Sequence, residues 1–109
     1  MKIATFNVNS IRKRVCIVLD WLAQHKPDVL CLQETKVQDS DFPIDAFARS
    51  GYHVTYRGMR SYNGVAVLSR TTPELVSSGL GQSSNGEDHA RLLRVVVQGL
   101  PIINTYIPQ

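Results

Sequence analysis

The sequence has only two cysteines, Cys16 and Cys31, and their spacing fits neither a zinc-binding nor a redox pair. Cys16 falls in a helix-like stretch and Cys31 in a strand-like one, so both read as small buried or half-buried hydrophobes. No apolar run approaches the ~18 residues needed to cross a bilayer, which argues against a membrane partner. Met1-Lys2-Ile3-Ala4-Thr5-Phe6-Asn7 turns polar too soon for the apolar core of a signal peptide, leaving a cytoplasmic location as the expectation. Internal repeats, low-complexity tracts and linkers are also missing. What remains is 109 residues, 43% apolar and 19% charged, the size of one small domain that can bury a core with little to spare.

Charge is the first positive feature. The net charge is +3, and residues 1–36 carry six bases (Lys2, Arg12, Lys13, Arg14, Lys26, Lys36) against three acids (Asp20, Asp28, Glu34), a surplus of three. Such a surplus suits either a solvated face or a polyanionic partner, since lysine and arginine attract phosphates at long range.

The stretch Pro27-Asp28-Val29-Leu30-Cys31-Leu32-Gln33-Glu34-Thr35-Lys36 organises the chain. Its four apolar residues from Val29 to Leu32 do not alternate with polar ones, as expected of a strand buried on both faces. Glu34 then stands at the strand's carboxyl end, the edge at which α/β sheets bind ligands. On position alone it is either a surface residue of a strand-to-helix turn or a hard oxygen ligand for a cation such as Mg²⁺. Before it, Ile3-Ala4-Thr5-Phe6 reads as a first buried strand ending at Asn7-Val8-Asn9-Ser10. Ser10 is a suitable N-cap for a helix in which Ile11, Val15, Val18, Leu19 and Leu22 make one apolar stripe, closed by His25-Lys26-Pro27. Strand, helix and strand form a βαβ unit, so the two strands are expected to run parallel, bringing Asn7 and Asn9 near Glu34.

Further along, a short helix is expected within 43–50. Tyr52–Tyr56 and Val65–Ser69 read as an antiparallel hairpin around the basic loop 57–64, which holds Arg57 and Arg60. A short strand from Glu74 to Ser77 leads into a polar loop, 78–89, and Leu92–Val97 with Ile102–Tyr106 reads as a second hairpin. The expected class is α/β with a mixed β-sheet and flanking helices. Taken singly, Tyr106 is a strand aromatic with a hydrated hydroxyl, Arg12 a helix-surface charge, and Asn7 and Asn9 turn or capping residues.

Four blocks in order change that weighting. At Phe6-Asn7-Val8-Asn9-Ser10-Ile11-Arg12, Leu32-Gln33-Glu34-Thr35-Lys36, Tyr62-Asn63-Gly64-Val65-Ala66 and Asn104-Thr105-Tyr106-Ile107-Pro108-Gln109 the chain resembles exodeoxyribonuclease III and related apurinic/apyrimidinic endonucleases, of the endonuclease–exonuclease–phosphatase superfamily. The resemblance implies a four-layer α/β sandwich of two packed sheets, with residues 1–109 as its N-terminal half, incomplete at the C-terminus. It implies a Mg²⁺-dependent DNA phosphodiesterase of base-excision repair, with Mn²⁺ a substitute, acting on double-stranded DNA at abasic sites and 3′ ends.

Residue by residue, Glu34 matches the family's metal-ligating catalytic glutamate and Asn7 the asparagine that helps orient the metal site. Asn9 occupies a position where some relatives carry aspartate near the metal. Tyr106 matches a catalytic tyrosine whose hydroxyl bonds the phosphate or the attacking water. Arg12, Lys36 and Tyr62 match contacts to the DNA backbone, while His25, His53 and His89 match nothing and read as structural or surface residues. The family's Asp-x-Asn motif and terminal Asp–His pair have no counterpart here, so the chain alone is expected to be inactive, or a non-catalytic metal- or nucleic-acid-binding fragment. A missing second sheet would expose an apolar face and favour self-association, whereas full-length relatives are expected to be monomers. Lys36, Arg57 and Arg60 argue for a duplex substrate over a small phosphate ester or a lipid.

Overall fold

The computed structural model describes residues 1–59, 63–78 and 90–107. In chain order the elements are β1 (Ile3–Asn7), α1 (Ile11–His25), β2 (Val29–Gln33), a single 3₁₀ turn (Asp39–Asp41), α2 (Ile44–Arg49), β3 (His53–Arg57), β4 (Val65–Ser69), β5 (Leu75–Ser78), β6 (Leu92–Val97) and β7 (Leu100–Thr105). They form two sheets, β1-β2-β4-β3 and β5-β6-β7. β1 and β2 pair in parallel with Asn7 opposite Gln33, as a βαβ unit requires, and β3 and β4 form the expected antiparallel pair. The second hairpin is β6–β7, with Leu93 opposite Asn104.

β2 and β4 lie at the centre of the first sheet and are apolar on both faces because both faces are covered. Leu30, Leu32, Ala66 and Leu68 point to the side where the α1 stripe (Ile11, Val18, Leu22) and Phe47 of α2 pack. Val29, Cys31, Val65 and Val67 point the other way and meet Leu93, Val95, Val97 and Ile102 of the second sheet. Helices, sheet and sheet thus make three layers among the described residues. The second sheet corrects the expectation that this chain lacks one: β5-β6-β7 covers the face that would otherwise be exposed.

Three further expectations change. β1 is not a buried strand; it is the edge of its sheet among the described residues, with Ile3 46% and Phe6 40% exposed. Ser10 precedes α1 without a side-chain cap, at φ 92°. The start of the helix is tied by tertiary bonds, the N–H groups of Ser10 and Ile11 donating to the carbonyls of Glu34 (2.8 Å) and Thr35 (3.0 Å). The other end of α1 closes on Lys26 in the left-handed region before Pro27.

Cys16 is exposed, not half-buried, whereas Cys31 lies between the sheets, where burial pushes its thiol up to about 11. At mildly alkaline pH, iodoacetamide is therefore expected to label Cys16 and spare Cys31 in the folded chain, and to label both in urea. Equal rates in the folded chain would mean that the second sheet does not cover the first.

Candidate active site

Three strand ends meet at one edge of the layered sheets. β1 delivers Asn7, β2 delivers Glu34, and β7 delivers Tyr106 immediately after its last residue. Parallel pairing of β1 and β2 makes the first two neighbours: Asn7 Nδ2 donates to Glu34 Oε1 at 2.9 Å. Lys36, two residues on, places Nζ 3.6 Å from Glu34 Oε2 and donates to Asn9 Oδ1 at 2.5 Å. Tyr106 arrives from the other sheet, half-buried, and lines the same cleft as Glu34. Partial burial, followed by the nearby Glu34 charge, holds the phenol above the usual tyrosine range, so it remains protonated at neutral pH. Thr5, Asn7, Gln33, Glu34, Thr105 and Tyr106 are among the residues lining the open cleft between these strand ends, about 470 Å³ in volume.

The backbone around the cleft is unusual. Asn9, Ser10, Glu34, Lys36 and Asn63 all have positive φ, a conformation that non-glycine residues adopt at a cost of about 1–3 kcal/mol each. Neighbouring loops hold it in place. The N–H groups of Thr35 and Lys36 donate to the carbonyls of Gly64 (3.2 Å) and Asn63 (2.9 Å), while those of Ser10 and Ile11 bind the same turn from the other side. Glu34 is thus fixed by contacts from two separate loops.

The residues singled out from sequence divide as follows. Asn7, Glu34 and Tyr106 converge on the cleft, and Asn9 and Lys36 flank it. The Asn7 Oδ1 accepts from the Asn9 N–H at 3.1 Å, and the Asn9 Oδ1 is taken by Lys36. Arg12 is exposed in the first turn of α1, which leaves from the same edge. Tyr62, Arg60 and His89 lie outside the described residues, as does most of the 78–89 loop. His25 stacks on Trp21 at 4.7 Å, and His53 stands exposed near Thr72; neither belongs to the cleft. Sequence reasoning assigns no role to Thr5, Gln33 or Asn104. Their signal is a polar side chain inside an otherwise apolar strand.

The chain is similar to known proteins over nearly all of its length. Residues 4–107 match the Endonuclease/Exonuclease/phosphatase family. The chain is 33% identical to exodeoxyribonuclease III of Haemophilus influenzae over 113 residues, covering 100% of this chain and 42% of that protein. Its structure is similar to that of an AP endonuclease from Archaeoglobus fulgidus, with a TM-score of 0.93 and 53% identity over 99% of this chain and 41% of that one. It is also similar to the Neisseria 3′ phosphatase NExo bound to product DNA hairpin, with a TM-score of 0.87 and 38% identity over 97% of this chain and 41% of that one. The chain therefore spans about two-fifths of the length of the relatives it matches. Strand-end carboxylate, flanking lysine and facing phenol are held on a fold shared with these proteins, and the chain belongs to the endonuclease/exonuclease/phosphatase family.

Proposed function

We propose that the cleft is the cation- and phosphate-binding part of a Mg²⁺-dependent DNA phosphodiesterase that acts on double-stranded DNA at abasic sites and 3′ ends. The observation that carries this reading is one carboxylate, Glu34, held between Asn7 and Lys36 and faced by the Tyr106 phenol in an open cleft. The donor chemistry suits the metal. Among the described residues the cleft offers one carboxylate, Glu34, with amide oxygens beside it. Mg²⁺ favours such sites, because it keeps several waters and takes one or two carboxylates plus substrate phosphate oxygens. Mn²⁺ accepts the same hard donors.

When bound, the cation supplies positive charge against the phosphoryl oxygens as negative charge grows there. The chain's own groups do the rest. Glu34 holds the cation, and the Asn7 amide fixes the direction of its carboxylate. Tyr106, protonated at neutral pH, hydrogen-bonds a phosphate oxygen or the attacking water. Lys36, with Arg12 and Tyr62, neutralises or contacts the flanking DNA backbone, which gives affinity without sequence preference. Because the sequence carries no Asp-x-Asn, the proton-transfer part of the reaction falls outside these residues, and we read the chain alone as a binder without turnover. The Neisseria relative bound to product DNA supports the choice of DNA as partner.

The test is binding of a duplex bearing one abasic-site analogue, against the same duplex intact, with Mg²⁺ and with a chelator. Tighter, Mg²⁺-dependent binding to the abasic duplex is expected. Lys36→Ala is expected to lower the slope of log affinity against log salt by about one, the signature of one lost phosphate contact. Equal affinity for both duplexes in both conditions would overturn the substrate assignment. Chelator-sensitive nicking by the chain itself would overturn its reading as a binder only.

A further inference from the structure

From the floor of the cleft into the seam between the sheets runs a chain of three polar side chains, Thr5, Gln33 and the buried Asn104. Gln33 Nε2 donates to Thr5 Oγ1 and to Asn104 Oδ1, both at 2.8 Å. Asn104, 3% exposed, donates through Nδ2 to the carbonyls of Leu32 (2.9 Å) and Ala66 (2.8 Å). The orientation of both amides is thereby determined. With the Asn104 NH₂ committed to two carbonyls, its oxygen faces Gln33, and the Gln33 NH₂ has to face Asn104 and Thr5. The network joins β1, β2, β4 and β7, and it crosses from one sheet to the other.

We infer that Thr5, Gln33 and Asn104 are positioning residues, a hydrogen-bonded clamp across the sheet seam that sets Tyr106 and Asn7 against Glu34. The role rests on the reading of those three as the working site. Each clamp residue precedes a cleft residue by one or two positions: Thr5 before Asn7, Gln33 before Glu34, Asn104 before Tyr106. Along a strand, residues two apart share a face, so fixing Thr5 and Asn104 directs the side chains that follow them. The rest of the seam is aliphatic, Val29, Cys31, Val65 and Val67 against Leu93, Val95, Val97 and Ile102. Apolar contact is non-directional and leaves one sheet free to settle against the other in more than one way. Hydrogen bonds of 2.8–2.9 Å fix one arrangement. Of Asn7, Glu34 and Tyr106, only Tyr106 comes from the second sheet, so its distance to Glu34 depends on that arrangement. Displacements of ~1 Å at such a site cost about 100-fold in rate, which is why a clamp belongs here.

The test compares Thr5→Val and Gln33→Met with the unsubstituted chain, and Thr5→Ser as the conservative control that retains the hydroxyl acceptor. Asn104 is left in place, since its removal strands two backbone carbonyls and threatens folding. The first readout needs no metal: the ring signals of Tyr106 in a ¹³C-tyrosine-labelled chain, assigned with Tyr106→Phe. Thr5→Val and Gln33→Met are expected to shift and broaden those signals while the β3–β4 amides keep their positions, and Thr5→Ser is expected to restore them. The second readout is Mn²⁺ affinity, expected to fall about 10-fold in Gln33→Met, the loss typical when a group supporting a metal ligand is removed. Tyr106 signals unchanged in both variants would overturn the clamp. Failure of the unsubstituted chain to bind Mn²⁺ through Glu34 would instead remove the metal reading, and the ring signals would still decide the clamp. Should Gln33→Met not fold, Thr5→Val, at an exposed edge-strand position, decides alone.

Discussion

Glu34→Gln is expected to weaken Mn²⁺ binding by the chain at least about 100-fold, more than the ~10–100-fold typical of losing a supporting partner, because it removes the one carboxylate of the site. The substitution is nearly isosteric. Glutamine retains an oxygen that accepts from Asn7 Nδ2, so the loop has no steric reason to move. The ion pair it breaks is Lys36 Nζ to Glu34 Oε2 at 3.6 Å, with side chains 30% and 23% exposed, and pairs of that kind contribute about 0–1 kcal/mol. Affinity and stability should therefore separate: Mn²⁺ binding, followed by the paramagnetic resonance of the free ion, collapses while the urea midpoint hardly changes. Undiminished Mn²⁺ affinity in the variant would mean that the cation is held elsewhere.

Gly64→Ala is expected to damage the fold and the cleft together. Gly64 has φ +99°, and a Cβ there would lie 2.1 Å from Thr35 Oγ1 and 3.3 Å from Thr35 Cβ. Thr35 is 1% exposed, so its side chain has no open space into which to withdraw. Left-handed backbone on an L-residue costs about 1–2 kcal/mol and overpacking about 1–3 kcal/mol, together about 2–5 kcal/mol. That is a large share of the ~5–15 kcal/mol that stabilises a domain. Thr35→Ala in the same chain removes the nearest clashing atom but neither the close approach to Lys36 N at 3.2 Å nor the backbone strain, so the double variant should recover only part of the loss. Urea unfolding measures all three proteins. A single variant as stable as the unsubstituted chain would show that the Gly64 loop yields freely. Because the carbonyls of Asn63 and Gly64 accept from Lys36 and Thr35, the single variant should also lose Mn²⁺ affinity as the Glu34 turn shifts.

What the sequence reveals follows the range of the interactions. The non-alternating run Val29–Leu32 announces a strand covered on both faces, and the α1 stripe announces the helix that covers one of them, because both patterns are local. Glu34 is legible for the same reason: it ends that strand, and its block resembles one family. β1 misleads because an apolar strand does not record whether it has neighbours on both sides. The second sheet misleads because the β6–β7 hairpin is visible in sequence while its stacking on β2 and β4 is a long-range fact. Ser10 follows a capping rule that the carbonyl of Glu34 overrides. The clamp is the least legible part, since Gln33 finds its partners 28 and 71 positions away.

The edge position of β1 has a kinetic side. Among the described residues β1 has one ladder, to β2, and side-chain bonds from Thr5 and Asn7, so its local opening is expected at a lower free energy than global unfolding, measurable by amide exchange. Asn7 travels with it. For the proposed cation site, the fraction of molecules with β1 docked would set how often Asn7 orients Glu34, and apparent affinity would fall with that fraction. A strand laid along the outer edge of β1 would thus tighten the site from a distance, without contributing a single ligand.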